Sequence, residues 1–354
     1  MSAPPDSILP LLDLAFALPE HLLLGAAAAS ALDGLPQGAD INTILILGMG
    51  TGRTAGEVAR GVGGATMPVP ILVGSSYEVP GCIGDRSLVF AVSGSGNTDE
   101  VNHAAAAAVA HGAKLVAVST GGWLIDFAED CGAAIIRIPP DIKPPRATFG
   151  VVVAALLATL QGAGLLPEAK LWIDSAAAQL RRRREELARD GNAAEGLASL
   201  LVGRHVLCQG DAPIGATAAE RWKAQINQNA RQAASASEQP NASHNEAVAW
   251  DCCNDLTMER DAFVLLRHGY EDPRVSQRID RLAHYLEGKV PVHSVQGEGD
   301  TPFAALMDLT MIGDVTSLHL AAKNGVDPRS APFISHTVKE GLAPPRRLQD
   351  TAKS

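Results

Sequence analysis

Short apolar runs recur along this chain at helix-length intervals, and several end in glycine or serine. In the first half they are Ile44–Leu47, Val69–Val73, Ser87–Val92, Lys114–Ser119 and Ala133–Ile138. Runs this short, bounded by small residues, read as strands buried on both faces, because a half-solvated strand would alternate apolar with polar. Helical patterns separate them, from about Thr54 to Arg60 and over the alanine-rich Glu100 to His111. This alternation specifies a doubly wound α/β domain with a parallel sheet. The pattern restarts with strands at His205–Gly210, Ala262–Arg267 and Val290–Val295 and helices at Thr217–Ala230 and Phe303–Gly325. Two such domains suit a length of 354 residues. The expected division is an N-terminal domain over 1–165 with a helical extension at its start, a helical connection over 166–200, and a C-terminal domain over 201–354 ending in a helix. Within the connection, Arg181–Glu186 (RRRREE) permits Arg181–Glu185 and Arg182–Glu186 pairs on a solvated helix face.

Composition removes several function classes. A formal net charge of −10 excludes a general binder of nucleic-acid backbone, which needs a basic face. The longest apolar run, from Val151, is interrupted by Gln161 and Gly162; it falls short of a membrane span and reads as a core helix. The first twenty residues carry acids and no base, unlike a signal peptide. The odd cysteine set, Cys82, Cys131, Cys208, Cys252 and Cys253, has neither CxxC pairing nor zinc spacing, so reduced and mostly buried thiols in a cytoplasmic protein are expected.

Ligands of open parallel sheets bind beyond the C-terminal strand ends. Two strand-to-helix junctions carry suitable chemistry. The first, GMGTGRT (Gly48–Thr54), has GxGxG spacing, no Walker lysine and no acid placed for a ribose, which argues against nucleoside triphosphates and dinucleotides. The second, AVSGSGNTDE (Ala91–Glu100), offers the hydroxyls of Ser93, Ser95 and Thr98, with Gly94 and Gly96 letting backbone approach an anion. A helix starting there adds unpaired N–H groups and a positive dipole end. A phosphate monoester fits this junction; plain helix capping by Ser or Thr is the alternative. His103, His111, His205 and His268 read as structural or exposed, Trp222 and Trp250 as packing residues, and Arg221 and Lys223 as solvated.

The order of GMG, AVSGSGNT, STGG (Ser119–Gly122), PPRA (Pro144–Ala147), RWKAQINQNA (Arg221–Ala230), SHNEAVAWD (Ser243–Asp251) and NGVDPRSAP (Asn324–Pro332) resembles the bifunctional phosphoglucose/phosphomannose isomerase family over about residues 40 to 345. The resemblance implies two sugar isomerase (SIS) domains in tandem, each flavodoxin-like with a parallel sheet. It implies phosphorylated hexoses (glucose, fructose or mannose 6-phosphate) bound between them, no metal or other cofactor, and a homodimer whose ring-opening histidine reaches the neighbour's site. Carried onto this sequence, Ser93, Ser95 and Thr98 would hold the sugar phosphate with backbone around Gly50, Thr51 and Gly52. Arg146 would stabilise the enediolate, His244 would open the ring, and Lys339 would assist.

One position departs from the pattern. The family's catalytic glutamate lies in an NEN triplet sixteen residues before the histidine, and here that residue is Gln228, within INQNA. Aldose–ketose isomerisation needs a group that takes a proton from one carbon and returns it to the next; a neutral amide does not do this near pH 7. Glu220, Glu238 and Glu246 are the other acids near enough in sequence to stand in. Gly52 replaces the family's usual phosphate-binding serine, with Thr51 beside it. Arg53 replaces its usual glycine and lies close enough to the loop to meet an anion, and Ala331 stands where relatives that accept mannose carry threonine.

Overall fold

The computed structural model describes residues 8–253 and 255–329. Lys339 and Ala331 lie outside the described residues, as does the expected C-terminal helix beyond 329. The described chain divides into two units, residues 20–174 and residues 8–19 with 175–329.

In the first unit, β1 (Thr43–Gly48), β2 (Ile71–Gly74), β3 (Ser87–Ser93), β4 (Lys114–Ser119) and β5 (Ala134–Arg137) form a wholly parallel sheet of order β2-β1-β3-β4-β5. β1 and β3 are buried at every residue, as apolar runs without alternation require. α3 (Thr51–Gly63) follows β1, α4 (Asp99–Ala110) follows β3 and α5 (Gly122–Asp130) follows β4. The methyl-sized face of α4, Val101, Ala104, Ala105 and Ala108, packs with α5 residues Leu124, Phe127 and Ala128 in one core. α6 (Phe149–Gly162) is buried along nearly its whole length, which makes it a core helix despite its apolar sequence. α2 (Leu18–Ser30) approaches it so closely that a Cβ at Gly25 would lie 2.1 Å from the Val151 carbonyl oxygen.

The second unit holds β6 (His205–Asp211), β7 (Ala234–Gln239), β8 (Asp261–His268) and β9 (Val292–Gly297), again parallel, in the order β7-β6-β8-β9. β7, with the sequence ASASEQ, was not expected: an edge strand of small polar residues has no apolar run to announce it. α9 (Ile214–Gln225) and α12 (Pro302–Lys323) cover the sheet, with α11 (Pro273–Leu286) packing through Ile279, Leu282 and Leu286. α1 (Leu9–Phe16) packs on α12 and so belongs to this unit. The expected long connecting helix is two helices, α7 (Ala169–Leu187) and α8 (Ala193–Leu201), separated at Gly191, whose φ of 65° ends a helix at little steric cost.

Three expectations about side chains are corrected by packing. The arginine run is not a purely solvated face, because Arg183 is largely buried and forms a bidentate pair with the fully buried Asp308 at 3.0 and 2.9 Å. Arg221 is buried rather than solvated: it reaches Asp314 of α12 at 3.0 and 2.7 Å. Among the cysteines only Cys208 is buried, and burial pushes its thiol up to about 12; Cys82 and Cys252 are exposed. Trp222 packs as expected, fully buried with its indole N–H on the Leu309 carbonyl at 2.8 Å. Arg221 and Trp222 together fasten α9 to α12. Arg221→Met would leave Asp314 as an uncompensated buried charge, and urea unfolding should show a loss of about 3–5 kcal/mol.

Candidate functional site

In the first unit the crossovers leave β1 and β3 in opposite directions, so the crevice beyond their ends is the sheet's switch point. The loops after these two strands are the two junctions singled out in the sequence. Ser93 ends β3 and is buried; its hydroxyl oxygen accepts the Gly96 N–H at 3.0 Å and the Thr98 N–H at 3.4 Å. It also lies 2.7 Å from the Thr98 hydroxyl. With both lone pairs taken, Ser93 must be the donor in that contact, which leaves the Thr98 proton available. Ser93 thus holds the loop together through these three contacts. Ser95 is exposed, and its oxygen accepts the Asn97 N–H at 3.2 Å while its proton stays available.

The loop rests on its neighbours as well. Thr120 donates to the Gly94 carbonyl at 2.7 Å, and the first amides of α5 are taken by the loop itself: Trp123 N–H by the Asn97 side chain at 3.1 Å and Leu124 N–H by the Gly96 carbonyl at 3.0 Å. Gly96 has a φ of +71° and sits so close to Gly121 that a Cβ would lie 1.7 Å from its carbonyl oxygen. Thr98 holds the N-cap position of α4 without a side-chain capping bond, so capping does not account for its hydroxyl. On the other side, Gly50 (φ 50°) opens α3, whose first turn bears no acid. Gly52 is buried; a Cβ there would meet Val92 Cγ1 and the Val92 carbonyl oxygen at 3.0 Å. Arg146 lies half-buried on the 3-10 turn Pro145–Thr148, brought to the β3 loop because Gly94 has no side chain: a Cβ there would touch Pro145 at 3.2 Å. Gly50, Thr51, Gly52, Ser93, Ser95, Thr98 and Arg146 therefore gather at one edge of this sheet.

Two histidine arrangements escaped sequence reasoning. His103 lies on α4, 3.1 Å from the Asp99 carboxylate, which also accepts the Tyr77 hydroxyl at 3.1 Å. That bond to Asp99 holds the Tyr77 hydroxyl above its ordinary pKa. The i, i+4 spacing of Asp99 and His103 was the available signal; Tyr77 comes from a distant loop. In the second unit, the ends of β6 and β8 are bridged by buried Asp211 and His268 at 2.5 Å, and Asp211 also accepts the Gly215 N–H at 3.2 Å at the start of α9. The second sheet's switch point thus holds the chain's own carboxylate where the first has hydroxyls and glycines.

Gln228 lies in the second unit on a π-helical turn, Ile226–Ala230, continuing α9; such turns widen a helix locally. Its neighbours are pinned. Asn227 exchanges hydrogen bonds with the Ala234 backbone, receiving its N–H at 2.9 Å, and buried Asn229 donates to Ser317 of α12 at 2.9 Å. Between them, the half-buried Gln228 side chain has no hydrogen-bond partner among the described residues. His244 ends the 3-10 turn Asn241–His244 after β7 and is exposed; its Nε2 accepts from Arg278 at 3.1 Å, which assigns the ring proton to Nδ1. Of the other acids, Glu220 is paired with Lys223, Glu246 accepts the Gln209 amide at 3.3 Å, and Glu238 is exposed. Among the described residues no cluster of three or more His, Cys, Asp or Glu is arranged to hold a metal ion.

Parallel doubly wound sheets, one with a hydroxyl- and glycine-rich loop at its switch point, are the architecture of an α/β protein that binds small anionic ligands at a strand end. Residues 190–340 match the family described as bacterial phospho-glucose isomerase C-terminal SIS domain. Over 294 residues the chain is 30% identical to the bifunctional phosphoglucose/phosphomannose isomerase of Caldicellulosiruptor bescii, covering 82% of this chain and 86% of that one. The Aquifex aeolicus protein of the same name is 28% identical, over 84% of this chain and 90% of its own. The chain belongs to the bifunctional phosphoglucose/phosphomannose isomerase family. Solved structures share the fold at low identity. The C-terminal domain of glucosamine-fructose-6-phosphate aminotransferase from Francisella tularensis matches with a TM-score of 0.66 at 14% identity, over 91% of this chain and 98% of that one. A glucose-6-phosphate isomerase like protein from Thermus thermophilus matches with a TM-score of 0.57 at 18% identity, over 90% and 94%.

Ser93→Ala isolates the loop's internal support. It strands the Thr98 amide and leaves the Gly96 amide only the Ser93 carbonyl, and thermal or urea unfolding should register a loss of about 1–3 kcal/mol. Unchanged stability would show that the buried hydroxyl does not hold the loop.

Proposed function

We propose that this protein binds a phosphorylated hexose (glucose, fructose or mannose 6-phosphate) and has lost most of the family's aldose–ketose isomerisation. Ser95, Thr98 and the backbone around Gly50–Gly52 take the phosphate in this reading. Arg146 faces the sugar oxygens that become negative in an enediolate. His244 exchanges a proton with the ring oxygen, acting in a cytoplasmic homodimer.

The observation that carries the proposal is Gln228. Its neighbours' amides are tied to the framework while its own makes no hydrogen bond among the described residues, which supports a role for it in contacting a ligand. An amide there hydrogen-bonds a hydroxyl but cannot shuttle the proton between C1 and C2. Family membership supports the sugar phosphate, and the residue at 228 supports the weakened chemistry.

The test is Gln228→Glu. With fructose 6-phosphate in D₂O, the natural protein should put deuterium on C2 of the product slowly or not at all, while the variant should gain about 10²–10⁴-fold in rate, the usual worth of a positioned base. Rapid exchange by the natural protein would overturn the claim of lost base chemistry and favour an active isomerase with a relocated carboxylate. Calorimetry with glucose 6-phosphate and fructose 6-phosphate checks the binding half: the absence of heat at millimolar ligand would remove it.

A further inference from the structure

The phosphate junction carries an electrostatic problem that its hydroxyls do not solve. A phosphate monoester approaches a dianion near neutral pH, its second pKa being about 6. Two carboxylates, Asp99 and Glu100, occupy the first turn of α4 at this junction, where they oppose an anion. Tyr77 and His103 engage Asp99, no Lys or Arg occurs in the loop from Gly94 to Thr98, and Arg146 on the neighbouring turn is assigned above to the sugar oxygens. On the other side of the crevice, position 52 is a glycine and supplies no hydroxyl, and a Cβ there would crowd Val92 at 3.0 Å.

The next residue along α3 is Arg53. Arg53 lies in the first turn of α3, one residue beyond Gly52 and within a side chain's length of Gly50, and in this structure its guanidinium turns along the helix toward Glu57. Its guanidinium is half exposed and only loosely paired: the Glu57 carboxylate is 3.9 Å away, and that carboxylate's other oxygen is taken by Arg60 at 2.7 Å. Turning Arg53 from Glu57 toward a phosphate at the loop therefore gives up only a long, half-exposed contact.

We propose that Arg53 is a phosphate-recognising residue of this site, supplying as a cation the interaction that a hydroxyl at position 52 cannot provide, and selecting dianionic phosphate monoesters. This rests on the function proposed above. A forked guanidinium pairs with two phosphate oxygens at once, whereas a serine hydroxyl offers a single donor. Two consequences follow: affinity should fall as the phosphate takes up its second proton, and it should weaken with added salt more steeply than hydroxyl contacts alone would allow.

The experiment measures fructose 6-phosphate and inorganic phosphate binding by calorimetry to the natural protein, Arg53→Gln and Arg53→Lys, at pH 5.5 and 7.5 and at two salt concentrations. Arg53→Gln should weaken fructose 6-phosphate about ten- to hundredfold at pH 7.5, the worth of a hydrogen bond to a charged group. It should also flatten the pH and salt dependence, with Arg53→Lys falling between. The residue is exposed, so the melting temperatures of all three proteins should agree. If the natural protein binds fructose 6-phosphate and Arg53→Gln binds it equally well with the same pH and salt response, the assignment of Arg53 is wrong and the proposed function stands. If the natural protein does not bind fructose 6-phosphate, the proposed function fails, and this assignment with it.

Discussion

The first unit is organised around one buried oxygen. Ser93 Oγ ends a fully buried strand, accepts two backbone amides and donates to Thr98, and so converts a flexible glycine-rich segment into a fixed loop. Free glycines would cost conformational entropy each time a ligand bound. Here folding meets that cost once, through a hydroxyl that solvent does not reach. The same loop then caps α5 through Asn97 and Gly96, which takes the start of that helix out of competition for an anion. Beyond the neighbouring strand, the first turn of α3 carries no acid.

The two sheets show how one architecture supports different edges. Both are parallel and both reverse their crossovers beside the first strand of the unit. In the first, small residues and hydroxyls open the crevice. In the second, Asp211 occupies the start of α9 and is bridged to His268, so the position is filled by a negative group with its hydrogen bonds made. That edge has no need of a phosphate, and the unit's candidate chemistry lies elsewhere, on the π turn and the segment after β7.

Much of this was legible in sequence because parallel strands leave a strong trace. β4 coincides with the apolar run that announced it, and the other runs differ from their strands by one or two residues at an end. β7 left no such trace, since its stability comes from pairing with β6 rather than from apolar side chains. Charged residues on helices were read least well. Arg183 and Arg221 find their carboxylates on α12, far along the chain, and local spacing carries no information about such a partner. At the candidate site, the hydroxyl cluster and the exchanged residue at 228 were visible as letters. Which hydroxyl is committed to the loop and which is available depends on a three-dimensional bond count, as with Ser93 and Thr98.

The contact between Gly52 and Val92 bears on the order in which mutations could have accumulated. A serine at 52 would press on Val92 Cγ1 and on the Val92 carbonyl oxygen, each 3.0 Å from its Cβ, so introducing one asks the end of β3 to give by a few tenths of an ångström. Changes at 52 and 92 are therefore coupled through one contact and should not add independently.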